Sequence, residues 1–518
     1  MAINRYPLIV LCSLLLLWAR FDEFAVGSMG DDAVYAELAR SISEGRGPVL
    51  HIGPDQGSVV PNSQPSGYPL LISPVAYLFA GSLTALKLCS TAFFFAYLTI
   101  FYALLKPFTQ RRERLALVAL VALNPWAIAY ANRVFSESAY MLVSLAAVLC
   151  YDRWLRGRQL LDLNLAGLGL GLAFAAAIRS IGFSLLLAVG LHLIYKRLWR
   201  RLGWWLPYQL ALLALLMAYS RPVGGSLVPG SYLQQIVSFE TSPLDRLVFM
   251  AWTLCYYLKE LAALTLPVFG QAADAISTQL GLGGLYAIIA WTLGGLVLLG
   301  STAGILRWRA ADAPGLQLLW IYQLVFLGVL CNWTFIPVAR PGGWVELRLL
   351  LPLLPVFYLF AWSSLQTLGE RLGTANLAAK IPLLLLIAVL PLSLVHNAYR
   401  IKVPFRQARQ ASGRGFIDYS TGSQWLRAHT DPQDVVMTSS RLERHIHHNR
   451  PTVNYGANWR RTHYVFIGPD DPNLPDDLAP ASDRVLAQLK ERPDRFELMR
   501  ADTAKNWYIF RVIHPKKN

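Results

Sequence analysis

Charged residues are scarce in this chain. Only 15% of its 518 residues are charged and 55% are hydrophobic, whereas about a quarter of residues are charged in a typical soluble domain. Together with a positive mean hydropathy, this composition excludes an ordinary soluble protein and predicts an α-helical polytopic membrane protein. The formal net charge is +16, but the basic residues concentrate in short loops between apolar runs. That distribution is typical of cytoplasmic loops and argues against a nucleic-acid partner.

Cysteine is rare as well, and the sequence lacks the spacing of a disulfide framework or a metal site. The three histidines His445, His447 and His448 are more typical of an exposed strand-to-turn segment than of metal ligands. We find no internal repeat and no low-complexity segment. The five cysteines all lie in or beside apolar runs, at Cys12, Cys89, Cys150, Cys255 and Cys331.

Apolar runs divide most of the chain into candidate membrane helices. They lie at about 6–21, 83–105, 115–131, 135–150, 162–178, 180–196, 204–219, 284–306, 316–337, 347–366 and 381–396. The run at 247–268 is ambiguous because Lys259 and Glu260 lie in its middle. Basic residues between the runs place the N-terminus in the cytoplasm and the C-terminus outside. The sequence predicts about eleven spans, or about thirteen if 247–282 forms a hairpin.

Composition also predicts two domains. Residues 1–397 form the transmembrane domain, which includes a long outer loop at 22–82. Within that loop, 66–81 is apolar but interrupted by prolines, so we expect an interfacial segment. Residues 398–518 are more polar, and "DVVMTSS", "YVFIGP", "FELMR" and "WYIFRVI" are typical of strands, with helices at about 421–430 and 481–492. This region predicts a small α/β domain on the outer face.

Ionisable residues cluster on the predicted outer side of the membrane. The segment "GDDAVYAELARSISEG", residues 30–45, predicts a short amphipathic helix that opens with two carboxylates and ends at Gly45. Ionisable groups at a membrane edge are costly to desolvate, and pairing with one another or with a ligand offsets that cost. The clustering therefore predicts a site. Its members are Asp31, Asp32, Arg133, Glu137, Arg179, Arg340, Glu346 and Arg348.

Each of these residues also has a simpler interpretation. Asp31 can serve as a helix cap and Asp32 as a partner of the helix dipole. Arg133 and Glu137 have the spacing of an ion pair on one helix. The arginines of the later turns can anchor lipid headgroups. Independent roles of this kind need not favour one side of the membrane, so the shared location supports a common site.

Several short motifs resemble the GT-C class of membrane glycosyltransferases, in particular the protein O-mannosyltransferase and lipid A aminoarabinose transferase families. "DDAVYAELARSI" resembles their first outer-loop acidic motif, and "QPSGYPLL" resembles the stretch that follows it. "NPWAIAYANRVFSESAYMLVSLAAVL" resembles their helix with a second acidic residue at its outer end. "AFAAAIRSIGF" and "ELRLLLPLLP" resemble later signatures. The resemblance covers nearly the whole chain in order.

The resemblance implies an enzyme that transfers one sugar, a hexose or a pentose, from a polyprenyl-phosphate donor. The acceptor is a hydroxyl or phosphate of a lipid, glycan or protein on the outer face. Asp31 matches the first-loop acid and is the expected general base of an inverting displacement. Asp32 is expected to orient the acceptor or, as an alternative, to bind a divalent cation, while Glu137 holds the acceptor or a basic neighbour. This places the protein in a bacterial inner membrane with a periplasmic site.

The same resemblance implies a set of donor-binding residues. Positive charge is needed where the leaving phosphate develops its negative charge. The sequence departs from the aminoarabinose transferases at Gln64, where they carry a lysine before Pro65. The first candidates for phosphate binding are Arg179, Arg340 and Arg348, and Arg133 is the next candidate. Tyr35, Gln64 and Tyr68 are further candidates for phosphate or sugar binding.

Two other classes of function are compatible with the sequence. A transporter or flippase of lipid-linked sugars predicts repeat symmetry and ionisable residues near mid-membrane, and we find few such residues. A non-catalytic membrane scaffold, with the outer α/β domain as its working part, predicts that Asp31 is dispensable.

Overall fold

The protein is described by a computed structural model that is rich in helix. It describes residues 5–21, 26–27, 31–50, 64–157, 159–220, 242–267, 277, 279–308, 313–332, 344–374, 380–402, 419–438, 450–454, 462–467, 481–503 and 507–514. The chain packs as two compact units. The helical unit comprises Met1–Arg20, Pro65–Tyr68 and Lys87–Tyr399, and the mixed unit comprises Phe21–Gln64, Pro69–Leu86 and Arg400–Asn518.

The helices follow the apolar runs closely. In chain order they are α1 (Tyr6–Ala19), α2 (Asp31–Ser43), α3 (Gly67–Leu78), α4 (Leu83–Leu105), α5 (Arg111–Ala122), α6 (Pro125–Ala131), α7 (Ser136–Arg156), α8 (Leu163–Ile178), α9 (Phe183–Tyr195), α10 (Trp199–Ser220), α11 (Pro243–Thr265), α12 (Gly283–Ala303), α13 (Ile305–Trp308), α14 (Pro314–Cys331), α15 (Trp344–Leu350), α16 (Leu354–Arg371), α17 (Ile381–Lys402), α18 (Tyr419–His429) and α19 (Ala481–Lys490).

Five helical segments of the described residues are long and apolar enough to cross a membrane. They are Leu83–Leu105, Leu244–Thr265, Gly283–Trp308, Pro314–Cys331 and Leu347–Arg371, and a sixth is added if the bent pair α5 and α6 counts as one span. Shorter apolar helices include α1, α3 and α8. The predicted class of helical membrane protein is therefore confirmed, and the count of about eleven to thirteen spans stays a prediction.

Two ambiguous segments form helices. The run that contains Lys259 and Glu260 lies within the continuous helix α11. The predicted interfacial segment at 66–81 contains α3, with Pro74 inside it. Residues 268–276, which would complete a hairpin after α11, lie outside the described residues. Whether α11 crosses the membrane alone stays a prediction.

A sharp bend between α5 and α6 shapes one end of the helical unit. The two helices meet at 60°, and Asn124 caps α6 by accepting hydrogen bonds from the backbone N–H groups of Trp126 and Ala127. Pro125 occupies the first turn, where its missing N–H costs nothing. Arg20, at the end of α1, donates to the Pro125 carbonyl at 3.0 Å. The bend directs the chain into the turn that carries Arg133.

The C-terminal part of the mixed unit is a five-stranded sheet with the order β2-β1-β3-β5-β4. Strand β1 runs parallel to β2 and β3, and β5 runs antiparallel to β3 and β4. The strands are β1 (Val436–Thr438), β2 (Thr452–Asn454), β3 (Tyr464–Ile467), β4 (Phe496–Asp502) and β5 (Trp507–Val512). The four predicted strands and both predicted helices are confirmed. The sequence did not predict β2.

Alternating side chains of this sheet pack against a helix on each face. Met437 and Phe510 belong to the cluster that includes Leu489 of α19. Val436 and Ile509 point to the other face and belong to the cluster that includes Leu426 of α18. Because successive side chains of a strand face opposite sides, short apolar strands of this kind can fill two cores at once. The result is the small α/β region that the sequence predicts.

Candidate functional site

The predicted site residues fall into two local groups, one in each unit. Three predicted elements cannot be placed, because Arg340, the side chain of Glu346 and the histidines at 445, 447 and 448 lie outside the described residues. Among the described residues, no group of three or more histidine, cysteine, aspartate or glutamate side chains is arranged to hold a metal ion.

In the helical unit, Glu137 is the centre of a charged cluster. It lies in the first turn of α7 and is 1% exposed. Arg179 forms an ion pair with Glu137 Oε1 and donates a hydrogen bond to Ser136 Oγ at 3.3 Å. Arg348 approaches the same carboxylate oxygen, with Nε at 3.8 Å from Oε1. One buried carboxylate thus holds two guanidinium groups that come from segments far apart in the sequence.

An aromatic ring brings the third arginine into this cluster. Phe135 is buried, and its ring lies 5.3 Å from Cζ of Arg348 and 5.7 Å from Cζ of Arg133. Arg133 also lies 5.0 Å from the Tyr130 ring. These distances are within the range of cation–π attraction. Arg133 precedes the first residue of α7, so it does not form the pair with Glu137 on a single helix that its spacing allows.

The end of α8 fixes the position of Arg179. The helix stops because Arg179 adopts an extended conformation, and a 3₁₀ turn at Ser180–Gly182 follows. Two glycines pack closely against the backbone at this end of the helix. A Cβ on Gly182 would collide with the backbone carbonyl of Ala175, and one on Gly67 would collide with that of Ala177. Only glycine allows such close packing, which explains the glycine of the "PSGY" motif.

The second carboxylate oxygen of Glu137 has a different environment. Oε2 is buried, and it has no hydrogen-bond partner within the described part of the chain. Oε1 faces Arg179 and Arg348. A buried carboxylate oxygen is costly to leave without a donor. The cluster therefore combines guanidinium donors, which suit an anion, with an oxygen able to accept a hydrogen bond from a hydroxyl group.

In the mixed unit, the two neighbouring aspartates of α2 differ sharply. Asp32 is buried, and its two oxygens accept hydrogen bonds from the backbone N–H groups of Gly27, at 2.8 Å, and Ala33, at 3.0 Å. Asp31 is partly exposed, and its Oδ1 accepts a hydrogen bond from Nε2 of Gln64 at 2.9 Å. Asp32 anchors the segment that leads into the helix, whereas Asp31 stays partly exposed.

Helix α2 is buried on both faces, which differs from the predicted amphipathic pattern. Tyr35 and Leu38 are buried as expected, but Glu37 and Ser41 on the opposite face are buried too. Arg40 is held on this face by two hydrogen bonds to the Gly81 carbonyl, at 3.1 and 2.8 Å. Burial lowers the pKa of the Arg40 guanidinium, and the Glu37 charge opposes that shift. The polar face therefore packs inside the protein.

The end of α2 agrees with the prediction. The helix ends at Ser43, and Gly45 follows with a φ of +78°. The backbone N–H of Arg46 returns to the Ser41 carbonyl at 3.0 Å. A left-handed glycine just beyond the last helical turn is a common way to close a helix.

Tyr68, a candidate for donor binding, is fully buried in the helical unit. Its hydroxyl forms a hydrogen bond with Ser90 Oγ at 2.6 Å. This contact ties the first turn of α3 to helix α4. The described contact of Tyr68 is structural, so a direct role in binding stays a prediction.

Several polar contacts at the end of α1 and around the α5–α6 bend were not predicted. Asn397 Oδ1 accepts a hydrogen bond from Arg20 at 2.6 Å, and its Nδ2 donates to the Leu123 carbonyl at 3.3 Å. Asn132 Nδ2 donates to the Arg20 carbonyl at 2.6 Å. The Asn–Pro pair at 124–125 is a readable signal for a helix start. The remaining contacts join distant segments and carry no local sequence signal.

Comparison with solved structures defines the fold. No protein-family model and no curated protein matches the sequence. The crystal structure of ArnT from Cupriavidus metallidurans bound to undecaprenyl phosphate is similar over 100% of both chains, with a TM-score of 0.60 and 12% identity. The Archaeoglobus fulgidus oligosaccharyltransferase complex with Zn and sulfate is similar over 89% of this chain and 67% of that one, with a TM-score of 0.54 and 12% identity.

A second structure of the archaeal enzyme is also similar to this chain. Oligosaccharyltransferase AglB from Archaeoglobus fulgidus, in complex with an inhibitory peptide and a dolichol-phosphate, matches 90% of this chain and 69% of that one, with a TM-score of 0.51 and 11% identity. The chain therefore has the fold of the GT-C membrane glycosyltransferases, as its motifs predict. At this level of identity the likeness shows the fold alone.

Proposed function

We propose that the protein is a glycosyltransferase that moves a single sugar from a polyprenyl-phosphate donor to an acceptor on the outer face of the membrane. In the proposed step, the acceptor oxygen forms a bond to the anomeric carbon while the bond from that carbon to the phosphate oxygen breaks. The acceptor proton passes to a carboxylate base, and polyprenyl phosphate leaves with its negative charge. A displacement in one step inverts the anomeric centre.

The observation that supports this proposal most strongly is the arginine cluster around Glu137 and Phe135. Arg179 and Arg348 contact the Glu137 carboxylate, and Arg348 and Arg133 share the Phe135 ring. Planar guanidinium groups offer several N–H donors in a geometry that suits phosphate oxygens. Positive charge placed where the leaving phosphate develops its charge would stabilise the transition state. We assign Arg179 and Arg348 to the donor phosphate, and Arg133 is the next candidate.

Asp31 is the proposed general base. A hydroxyl group is a poor nucleophile, so a carboxylate must accept its proton during attack. Asp31 is partly exposed, and its neighbour Asp32 has both oxygens engaged by backbone N–H groups. That engagement also makes Asp32 a poor fit for the divalent cation expected as an alternative. We assign Glu137 to holding Arg179 and Arg348 and to accepting a hydrogen bond from the acceptor or the sugar.

The test uses the wild-type protein in lipid nanodiscs with a panel of polyprenyl-phosphate sugars. We expect at least one donor to release polyprenyl phosphate in the presence of an acceptor, measured by mass spectrometry of the lipid products. A flippase would move the intact donor across a vesicle without this release. If no donor in the panel is cleaved, the proposed donor class is wrong.

A binding measurement tests the arginine assignment separately. Hydrogen bonds to charged groups contribute about 1.5–3 kcal/mol, so we expect Arg179→Gln to weaken binding of undecaprenyl phosphate by about 10-fold or more. Arg307→Gln is the matched control, because Arg307 pairs with the exposed Glu370. If both variants bind the lipid phosphate as tightly as the wild type, Arg179 does not bind the donor.

A further inference from the structure

Gln64 makes a contact that its predicted role in donor binding does not explain. Its Nε2 donates a hydrogen bond to Asp31 Oδ1 at 2.9 Å, across 33 residues of sequence. Both residues belong to the mixed unit and are partly buried. The amide therefore acts on the carboxylate that we assign as the base.

The chemical nature of this partner affects the base. A hydrogen bond to a carboxylate favours its ionised form, and a positive charge at the same place would favour that form much more. A carboxylate stabilised in this way is a weaker proton acceptor. Asp31 already lies in the first turn of α2, where the helix dipole favours the ionised form. An amide orients the carboxylate with little further loss of basicity.

We propose that Gln64 is a positioning residue for Asp31, which fixes the orientation of the carboxylate and sets its strength as a base through a neutral hydrogen bond. This inference rests on the proposed function, in which Asp31 accepts the acceptor proton. It assigns to Gln64 a role in proton transfer in place of a contact with the donor phosphate.

A charge series at this position tests the inference. We compare wild type with Gln64→Lys, Gln64→Met and Gln64→Glu and measure kcat/KM for the acceptor as a function of pH. The acid limb of this pH profile is the range in which the base becomes protonated. It should move down by about one pH unit in Gln64→Lys. It should move up in Gln64→Met, which loses the hydrogen bond, and further up in Gln64→Glu. The maximal kcat of Gln64→Lys should fall because its base is weaker.

Gln488→Lys is the matched control for the change of charge. Gln488 is exposed on α19 of the same unit, so its replacement should leave the acid limb in place. A structural role for Gln64 alone would lower the rate of all three variants without moving the limb. If Gln64→Lys instead lowers the KM for the donor and keeps the limb fixed, Gln64 contacts the donor. Either result overturns the inference.

A second readout separates this inference from the proposed function. Carbodiimide labels protonated carboxyl groups, so the pH dependence of Asp31 labelling, measured by peptide mass spectrometry, reports its ionisation without any turnover. If the wild type transfers no sugar, the proposed function fails. The labelling midpoints still test whether Gln64 affects the ionisation of Asp31. We expect the midpoints to rise in the order Gln64→Lys, wild type, Gln64→Met, Gln64→Glu. Identical midpoints would show that Gln64 does not act on Asp31.

Discussion

Two carboxylates of this protein, Glu137 and Asp31, have nearly opposite environments. Glu137 in the helical unit is 1% exposed and holds Arg179 and Arg348 at one oxygen. Asp31 in the mixed unit is partly exposed and accepts a hydrogen bond from the neutral amide of Gln64. The side chains have the same chemistry, so the difference comes from their partners.

We propose different tasks for the two groups on the basis of this difference. A buried carboxylate that holds two cations fixes the positions of those cations. A partly exposed carboxylate can be reached by an acceptor hydroxyl. Groups whose environments differ in this way commonly divide the roles in an active site. We therefore expect replacement of Asp31 to affect the chemical step and replacement of Glu137 to affect stability and donor binding.

The largest effect should come from Asp31→Asn. The amide keeps the shape of the side chain but cannot accept the acceptor proton, so we expect sugar transfer to fall by about 10²- to 10⁴-fold. The melting temperature should stay close to that of the wild type, since Asp31 is partly exposed. A variant that transfers sugar as fast as the wild type would show that the base is another residue.

Glu137→Gln should act mainly on stability. Removal of one partner from a buried ion pair leaves uncompensated charge and costs about 3–5 kcal/mol. We expect a loss of this size in the free energy of unfolding, measured by denaturant titration in detergent. The control is Glu370→Gln, which breaks the exposed pair with Arg307 and should cost less than about 1 kcal/mol. Equal losses in the two variants would contradict the difference in environment.

Asp32→Asn distinguishes the two neighbouring aspartates of α2. The asparagine has one acceptor oxygen in place of two, so one of the backbone N–H groups of Gly27 and Ala33 loses its partner. We expect a loss of about 1–3 kcal/mol in stability, while the folded fraction transfers sugar at nearly the wild-type rate. A loss of rate as large as that of Asp31→Asn, with stability retained, would place Asp32 in the chemistry.

The smallest effect should come from Tyr68→Phe. This change removes the hydroxyl that bonds to Ser90 and should cost about 1 kcal/mol of stability. Donor KM and transfer rate should be unchanged if Tyr68 only ties the first turn of α3 to α4. A clear rise in donor KM would restore the predicted role of Tyr68 in binding the sugar or phosphate.

The sequence predicts the elements of this structure better than the contacts between them. Apolar runs and turn residues locate the helices because these signals are local, as the end of α2 before Gly45 illustrates. Strand β2 was missed because Val453 is its only strongly apolar residue, whereas the equally short β1 lies in the apolar stretch Val435–Met437. The burial of Glu37 and Ser41 was missed because a hydrophobic pattern cannot show a polar face covered by other segments.

The site shows the same limit. Arg133 and Glu137 have the spacing of a helical pair, but α7 begins only at Ser136, so Glu137 pairs instead with Arg179 and Arg348. The contact between Gln64 and Asp31 spans 33 residues and has no periodic signature. Charge distribution predicts which residues share a side of the membrane. Which of them meet depends on helix ends and turns, and these are set by packing.

The bend at Asn124 has a consequence for the order in which the protein is made. Arg20 at the end of the first helix bonds with Asn397, which is 377 residues later, and Asn397 also caps the Leu123 carbonyl. During synthesis, this polar junction cannot form until almost all of the membrane domain has been inserted. Contacts of such long sequence separation form late in folding. The polar junction at the α5–α6 bend therefore reaches its final hydrogen bonding only when α17 arrives.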